Sequence, residues 1–385
     1  MLDFYNISNL FTEEERQIQA SVRKFLDSEV APNINTWWES ETFPEELIPT
    51  FGELGLLGTE SRDGNNNTSP TDVAYGLVMY ELERIDSGLR SFVSVQRALV
   101  AYPIRRYGSE EQRKKYIPGL SDGSIVGCFG LTEHHGGSDP GAMQTTAQKE
   151  GDEFVLNGVK MWITNGIIAD LAIIWALDDN GQVRGYIVPT QSDGMTINPV
   201  HRKLSFRISS TAELVLDNVR VPASAMLPAA SGLSAPLSCL NEARYGIAWG
   251  VLGALEAVYY EALEFTAQRE TFGRRIDSRQ LVQAKLAQMV SDHTRGLLTA
   301  WRLGKLKDAG VANIAHFSMA KRENVRTALR ASRSARDILG ASGITLDYKT
   351  MRHMLNLETV DTYEGTYDIH TLVIGREITG QNAFG

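Results

Sequence analysis

The sequence predicts an α+β protein built from three consecutive domains. These are a helical domain over residues 1–125, a small β-barrel or sheet domain over residues 126–225 and a helical bundle over residues 226–385. Two observations carry the prediction. Apolar residues recur at helical spacing near both ends of the chain, whereas the middle contains short alternating runs separated by turn residues.

The first domain begins with a capping box, in which Thr12 and Glu15 can each satisfy the other's backbone amide. Apolar residues then recur at helical spacing, which predicts a buried stripe. Pro44 can open a second helix, and residues 63–67 form a polar loop. Further helices are predicted over residues 72–85, 90–107 and 110–116, with an interruption at Ser87-Gly88 and an end at Pro118.

The second domain is predicted from hairpin signals. Asn157-Gly158 separates two apolar runs, and because both residues tolerate positive φ, the pair predicts a hairpin turn. A second hairpin is expected between residues 171–177 and 183–188, joined by Asp178-Asp179-Asn180-Gly181, and residues 212–216 alternate as another strand. Residues 126–225 should therefore form a small β domain.

The third domain contains long segments without proline. Residues 281–307 and 315–339 keep apolar side chains at helical spacing, and residues 229–236, rich in Ala, Ser, Gly and Pro, connect this part to the preceding strands. Such lengths are typical of a helical bundle.

Composition and charge exclude several classes of function. The chain has 385 residues, of which 43% are hydrophobic, enough for a large core. A formal net charge of -9 argues against nucleic-acid binding. Neither a signal sequence nor a membrane-spanning apolar run is found, so we expect a cytoplasmic protein without membrane contact. Two distant cysteines, Cys128 and Cys239, suit a reducing compartment, and no cluster of residues suggests a metal site.

One carboxylate near the C-terminus has a setting typical of a base that removes a proton from carbon. Glu364 precedes Gly365 and is flanked by aromatic and hydroxyl residues in Tyr363-Glu364-Gly365-Thr366. Burial raises the basicity of a carboxylate, and glycine lets the backbone approach a substrate carbonyl closely enough to hydrogen-bond it. Taken alone, the motif is better explained as an acid at a helix start beside a turn glycine.

A glycine-containing loop and a predicted strand offer groups for a cofactor. Residues 128–140 place paired glycines near Thr132 and Ser138, which can present amides and hydroxyls to a pyrophosphate or to the edge of a flavin. Trp162 and Thr164 supply an indole wall and a hydroxyl. Each motif alone is better explained as an ordinary loop or a core strand.

Together, these motifs resemble those of the acyl-CoA dehydrogenases in order and spacing, over nearly the whole chain. The matching segments are Leu131-Thr132-Glu133, Gly137-Ser138-Asp139, Trp162-Ile163-Thr164, Arg269-Glu270-Thr271-Phe272-Gly273 and Tyr363-Glu364-Gly365-Thr366. The resemblance implies a helical domain, a small β domain and a four-helix bundle that enclose FAD and an acyl-CoA substrate. It also implies a homotetramer that passes electrons to electron-transfer flavoprotein.

The same resemblance implies which residues contact FAD. They are Thr132, Ser138, Trp162, Thr164, Thr366 and Asp368, with Arg269, Thr271, Phe272 and Gln280 reaching the FAD of a neighbouring subunit, and Arg336 and Gly340 near the adenosine half. Two segments depart from the family pattern. Ala341-Ser342 stands where Gly-Asn is common, and His134-His135 stands where proline and a small polar residue are common, so no role is assigned to either histidine.

Within the family, residues 81–96 resemble the glutaryl-CoA dehydrogenases most closely. Arg90 is the informative residue, because a guanidinium can hold a carboxylate with two parallel hydrogen bonds. The resemblance implies that the substrate-binding residues are Arg90, Glu83, Ser91, Asn241, Arg244 and Tyr363, the first three at the distal carboxylate and Asn241 and Arg244 along the CoA moiety. A surface ion pair between Arg90 and Glu83 is the alternative.

The implied reaction is the α,β-dehydrogenation of glutaryl-CoA, with Glu364 as the base and loss of carbon dioxide to give crotonyl-CoA. Tyr363 resembles a feature of the decarboxylating members. The alternatives are a non-decarboxylating glutaryl-CoA dehydrogenase, a dehydrogenase of another short or branched acyl-CoA, an oxidase that uses oxygen, and a scaffold without turnover. The presence of Glu364 argues against the scaffold.

Overall fold

The computed structural model describes residues 2–58 and 70–384. Helices, a sheet and further helices follow one another along the chain, which confirms the predicted fold class. The domain limits at residues 125 and 225 stay a prediction, and the loop predicted over residues 63–67 lies outside the described residues. None of the helices in the described part is both long and apolar enough to cross a bilayer.

The helices of the first part begin at the predicted capping box. They are α1 (Glu13–Phe25), α2 (Ile34–Ser40), α3 (Ile48–Glu53), α4 (Asp72–Ile85), α5 (Ser87–Ser94), α6 (Tyr102–Tyr107) and α7 (Glu110–Asp122). Thr12 Oγ1 accepts from the Glu15 amide at 3.2 Å, and the Thr12 amide donates to the Glu15 carboxylate at 2.8 Å. A π-helical segment, Val95–Ala101, joins α5 to α6.

Two predicted helix limits are wrong. The helix predicted from residue 90 begins at Ser87, because the Asp86 side chain accepts from the Gly88 amide and caps α5. The helix predicted to end at Pro118 continues to Asp122. Its last turns bury Ile117 and Leu120, and this packing outweighs the hydrogen bond that the proline removes.

The middle part is one curled sheet of seven strands. They are β1 (Gly127–Gly130), β2 (Thr146–Glu150), β3 (Glu153–Thr164), β4 (Leu171–Leu177), β5 (Val183–Pro189), β6 (Met195–Pro199) and β7 (Thr211–Pro222). Strand β4 pairs with β5 on one edge, as the second predicted hairpin requires, and with β1 and β2 on the other. Strands β3, β7 and β6 then follow β2 in antiparallel order.

The hairpin predicted at Asn157-Gly158 is wrong. Strand β3 runs straight through this pair, and the turn from β2 lies at Gly151-Asp152. Gly158 instead lies at a bulge opposite β7, with φ of 152°, and a Cβ there would lie 2.3 Å from Thr145 Oγ1. Glycine is therefore needed for close approach of the chain rather than for a turn.

The last part is a bundle whose long helices agree with the prediction. Its elements are α8 (Ser234–Gln268), β8 (Glu270–Thr271), β9 (Arg274–Arg275), α9 (Gln280–Asp308), α10 (Ile314–Leu339), α11 (Thr350–Thr362) and α12 (Tyr367–Thr379). Helices α8 and α10 pack side by side, and α9 and α11 each contact both. Helix α4 packs against α8, where Gly76 gives room to the Trp249 ring, so the first and last parts share a core.

Candidate active site

A cavity of about 700 Å³ lies where the three parts meet. Its walls come from α5 and the π-helical segment, from the sheet, from the start of α8 and from the turn between α11 and α12. Eight of the predicted site residues line it: Ser91, Thr132, Ser138, Trp162, Thr164, Tyr363, Glu364 and Thr366. The fold thus collects residues that are far apart in the sequence around one space.

Glu364 occupies the turn between α11 and α12. Its backbone is left-handed, with φ of 53°, and Gly365 follows with φ of 97°. The carboxylate oxygen Oε2 is buried and has no hydrogen-bond partner among the described residues. Burial raises the pKa of Glu364, and the positive charges of Arg90, Arg244 and Lys321 only partly offset that effect. A carboxylate in this state is a stronger base than one in water and is poised to take a proton.

Two cations hold the backbone of this turn. Arg244 Nε donates to the carbonyl of Glu364 at 2.8 Å, and its Nη1 donates to Asn241 Oδ1 at 2.9 Å. Lys321 Nζ donates to the carbonyls of Tyr363 at 3.0 Å and Gly365 at 2.8 Å. The position of Asn241 and Arg244 along the CoA moiety stays a prediction, whereas the contact of Arg244 with this turn was not predicted.

Lys321 was also missed, although the sequence carries a signal for it. It lies on the buried side of α10 with Phe317 and Asn324, three or four positions away on the same face. A lysine inside an otherwise buried stripe requires acceptors from another part of the chain.

Arg90 forms a buried ion pair behind Tyr363. Its Nε donates to Glu83 Oε2 at 2.7 Å, its Nη2 donates to the Tyr363 hydroxyl, and neither charged side chain is exposed. The pair is therefore internal and not the surface pair considered as an alternative. Burial alone would lower the pKa of Arg90, but Glu83 and Tyr363 outweigh this and raise it, so the guanidinium stays charged. Its Nη1 is buried and finds no acceptor within the described ranges.

Gly250 on α8 makes room for this pair. A Cβ at residue 250 would lie 2.2 Å from Glu83 Oε2 and 3.2 Å from Arg90 Cγ. Ser87 Oγ donates to the other oxygen of Glu83 at 2.7 Å, so the carboxylate is fixed from both sides. No local pattern in the sequence indicates this requirement, because Gly250 lies within a regular helix.

The sheet side of the cavity presents hydroxyls and an indole. Trp162 lies at a bulge of β3 with φ of 64° and is 60% exposed. Thr132 is tied to the same strand, since its carbonyl accepts from the Met161 amide at 2.8 Å. Ser138 and Thr164 add two further hydroxyls to the wall. An exposed aromatic face and polar groups around a largely apolar space fit the ring system and polar edge of a flavin.

The other predicted FAD contacts do not line this cavity. Phe272 is 97% exposed at the turn of the β8–β9 hairpin, next to Arg269 and Thr271, and Gln280 begins α9. An ion pair between Lys285 and Asp337 joins this end of α9 to the end of α10, where Arg336 and Gly340 lie. These residues therefore gather at one end of the bundle, and their contact with a neighbouring subunit's FAD stays a prediction. Asp368 is exposed in the first turn of α12 and also lies outside the cavity walls.

His134 has a partner that its sequence neighbours did not reveal. Its Nε2 lies 2.8 Å from the Glu213 carboxylate on β7, at an exposed position. Within residues 2–58 and 70–384, no group of three or more His, Cys, Asp or Glu side chains could hold a metal ion.

Among the described residues, a buried carboxylate oxygen without a hydrogen-bond partner faces a cavity between helices and a sheet that also presents an exposed indole and hydroxyl groups, an arrangement that fits a flavin-dependent enzyme of carbon-acid chemistry. Models of the acyl-CoA dehydrogenase N-terminal, middle and C-terminal domains match residues 12–124, 128–219 and 230–379. The chain belongs to the acyl-CoA dehydrogenase family, and FAD is its cofactor.

The names of similar proteins refer to different substrates. An acyl-CoA dehydrogenase of Bacillus subtilis is 34% identical over 374 residues, 96% of this chain and 99% of its own length. A short-chain specific acyl-CoA dehydrogenase of Clostridium acetobutylicum is 32% identical over 372 residues, 95% of this chain and 98% of its own. The structure of a glutaryl-CoA dehydrogenase from Mycobacterium smegmatis in complex with FADH2 is 50% identical, covers 100% of this chain and 99% of its own, and superposes with a TM-score of 0.96.

Proposed function

We propose that this protein oxidises glutaryl-CoA at its α and β carbons and that loss of carbon dioxide follows. The observation that carries the proposal is a pair of buried groups without partners among the described residues. These are Oε2 of Glu364, which suits a proton acceptor, and Nη1 of Arg90, which suits a carboxylate. A glutaryl thioester carries both an acidic α proton and a distal carboxylate, so one molecule can satisfy both groups. The 50% identity to the M. smegmatis glutaryl-CoA dehydrogenase supports this choice.

Glu364 takes the α proton in the first step. The amide of the same residue lies at a left-handed turn beside the cavity and can donate to the thioester carbonyl, where negative charge develops as the proton leaves. FAD, when bound, supplies the acceptor for the hydride that leaves the β carbon. The thioester must lie between Glu364 and the wall formed by Trp162 and Thr164 for both transfers to occur in one geometry.

Arg90 and its neighbours hold the far end of the substrate in register. Ser91 lines the cavity and is 2% exposed, and Tyr363 lines it in front of the guanidinium. Enzymes for plain acyl chains have no use for a buried cation at this place. Because Nε donates to Glu83 and Nη2 donates to Tyr363, Nη1 is the guanidinium nitrogen left without an acceptor among the described residues, and the distal carboxylate would supply one.

Decarboxylation follows from the structure of the oxidised product. Its carboxylate is attached to the γ carbon of an α,β-unsaturated thioester. The electron pair of the carbon–carbon bond that breaks can therefore spread into the thioester as carbon dioxide leaves. The proton held by Glu364 then returns to the γ carbon and gives crotonyl-CoA, so that atoms and charge balance.

A second candidate is the dehydrogenation of a short-chain monoacyl-CoA without decarboxylation. The name of the C. acetobutylicum relative favours it, and Glu83 already neutralises the charge of Arg90. In that case, the cavity would accept butyryl-CoA in preference to a diacid.

A panel of acyl-CoAs separates the two candidates. Purified holoenzyme is mixed anaerobically with glutaryl-CoA, butyryl-CoA and a branched acyl-CoA, and flavin absorbance and product mass are followed. We expect glutaryl-CoA to bleach the flavin fastest and to give crotonyl-CoA and carbon dioxide. Faster bleaching by butyryl-CoA would contradict the proposal, and a stable glutaconyl-CoA product would contradict the decarboxylation step.

Three further properties are proposed by resemblance to the family. They are a homotetramer, electron-transfer flavoprotein as the electron acceptor, and a cytoplasmic location. The almost fully exposed Phe272 on its hairpin supports the first, and the two buried free thiols support the last.

A further inference from the structure

We propose that Lys321 is a positioning residue for the catalytic turn. Its ammonium group, together with Arg244, binds the carbonyl oxygens of residues 363–365 so that the amide N–H groups on the other side of the same peptides face the cavity. The inference rests on the proposed role of Glu364 as the base.

The surroundings of Lys321 are unusual for a buried charge. The residue is 1% exposed, and no carboxylate oxygen in the described part of the chain lies within ion-pair distance of Nζ. Its acceptors are three backbone carbonyls, those of Tyr363 and Gly365 and, at 3.5 Å, that of Asp361. A buried ammonium without a counter-ion destabilises the folded state, because the desolvated charge is not balanced. Within the described ranges, its hydrogen bonds all go to residues 361–365, the segment that carries Glu364, which points to a functional rather than a stabilising role.

The geometry of the peptide bond links these carbonyls to the cavity. No peptide bond in the described residues is cis, and in a trans peptide the C=O and N–H groups point in opposite directions. Lys321 binds the carbonyls of Tyr363 and Gly365, and Arg244 binds that of Glu364. The amides of Glu364, Gly365 and Thr366 therefore each point away from the cation that binds the carbonyl of the same peptide, and none of the three donates a backbone hydrogen bond among the described residues.

The turn needs such support because its conformation is unfavourable by itself. Glu364 is not glycine, yet it adopts the left-handed conformation, which L-residues disfavour. With Lys321 and Arg244 bound to three successive carbonyls, the turn cannot relax without leaving a buried ammonium unsolvated. Lys321 and Arg244 thus fix both the carboxylate of Glu364 and the amide of the same residue, which donates to the thioester carbonyl.

Lys321 also acts on the charge of Glu364. Three cations face this carboxylate: Arg90 from α5, Arg244 from α8 and Lys321 from α10. Burial lowers the pKa of Lys321 to about 7, and Glu364 and Asp361 oppose that effect. The buried His370 of α12 stays neutral, because burial keeps its pKa well below the usual range. Removal of the lysine charge should therefore raise the pKa of Glu364.

The test compares three holoenzymes: wild type, Lys321→Met and, as a control, Lys307→Met. Lys307 is also a largely buried lysine, but it pairs with Asp72 and Glu242 outside the cavity. Each protein is measured in three ways. These are the anaerobic rate of flavin reduction against pH with the acyl-CoA that wild type uses, the affinity for a non-oxidisable acyl-CoA, and amide hydrogen exchange of a peptide covering residues 363–368.

For Lys321→Met we expect flavin reduction to slow by about 100-fold, whereas the affinity for the non-oxidisable acyl-CoA should change less than about threefold. The acid limb, which is the fall of the reduction rate at low pH, should move to higher pH. The amides of the 363–368 peptide should exchange faster. Lys307→Met should match wild type in all of them. An unchanged acid limb together with unchanged exchange at residues 363–368 would overturn the proposal, even if the variant melts at a lower temperature. If Lys321→Met does not fold, Lys321→Gln, which keeps an amide donor, is measured in its place.

Failure of the proposed function gives a different result. Either another acyl-CoA bleaches the flavin of the wild-type enzyme faster than glutaryl-CoA, and the rates are then measured with that thioester, or no acyl-CoA bleaches it. In both cases the hydrogen exchange of residues 363–368 still decides whether Lys321 holds the turn.

Discussion

The proposed function predicts that removal of the Arg90–Glu83 pair shifts the preference of the enzyme from a diacid thioester to a monoacid thioester. Both side chains are fully buried, so Arg90→Met alone would leave the Glu83 carboxylate without a counter-ion, at a cost of about 3–5 kcal/mol in stability. The double variant Glu83→Gln/Arg90→Met removes both charges, and the amide oxygen that Glu83→Gln introduces can still accept from Ser87, which lies 2.7 Å from Glu83 Oε1. The double variant therefore tests the loss of the cation without the loss of stability expected for Arg90→Met alone.

The expected loss of activity follows from the contact that the substrate no longer makes. Removing one partner of a buried, hydrogen-bonded charge pair costs about 2–5 kcal/mol. A mid-range loss of about 3–4 kcal/mol in transition-state binding lowers kcat/KM for glutaryl-CoA by about 10²–10³-fold. Butyryl-CoA has no carboxylate to lose, so its kcat/KM should stay within about threefold of wild type, or rise.

The assay is steady-state oxidation of both thioesters with an artificial electron acceptor. Glu81→Gln/Arg23→Met is the control. Glu81 is an equally buried carboxylate of α4 that pairs with Arg23, and neither residue of this pair hydrogen-bonds a residue that lines the cavity, whereas Arg90 donates to Tyr363. Equal loss of activity toward both substrates in the Arg90 double variant, or full retention of glutaryl-CoA oxidation, would refute the role of Arg90.

Three further predictions concern Gly250, Glu364 and His293. Gly250→Ala places a methyl group against Glu83, so we expect a loss of about 1–3 kcal/mol in the free energy of unfolding. The KM for glutaryl-CoA should be at least tenfold higher, and an unchanged KM would count against the close approach of α8 to Glu83. Because burial raises the pKa of Glu364, its ionised form destabilises the fold above the unfolded pKa near 4.5. Glu364→Gln should therefore melt above wild type at pH 8, with the difference shrinking toward pH 5 in melting curves; a constant difference would show that the carboxylate is not desolvated. Burial lowers the pKa of His293 to about 4, so wild type should lose up to about 3 kcal/mol of stability as pH falls from 6.5 to 4. His293→Gln should show a flatter decline in urea unfolding, and an equally steep decline would exclude this histidine as its cause.

Local signals in the sequence were sufficient for most of the fold. The helix predicted over residues 72–85 has those limits, and the capping box at Thr12 and the hairpin after β4 were found because each depends on neighbouring residues. The turn expected at Asn157-Gly158 failed because the glycine serves a contact with Thr145 that only the folded sheet creates. The end expected at Pro118 failed because tertiary packing outweighs a single proline.

The candidate site was predictable where a motif is contiguous. Tyr363-Glu364-Gly365-Thr366 and the residues around Trp162 line the cavity as expected. The support behind them was not predictable, because Lys321 and Arg244 lie 44 and 120 positions from the carbonyls of Gly365 and Glu364 that they bind. The pattern of α10 indicates that Lys321 is buried but not which groups accept from it, since its partners are backbone atoms that any sequence would supply.

Exchange of the substrate's α proton with deuterated buffer reports on proton removal alone, without hydride transfer or the steps that follow it. Holoenzyme in deuterated buffer is incubated anaerobically with an acyl-CoA that cannot be oxidised at its β carbon, and deuterium at the α carbon is measured by mass spectrometry for wild type and Glu364→Gln. If Glu364 is the base, wild type incorporates deuterium, whereas the variant retains its FAD spectrum and incorporates it at least about 100-fold more slowly. Incorporation at the wild-type rate by a FAD-loaded Glu364→Gln protein would show that another group removes the proton.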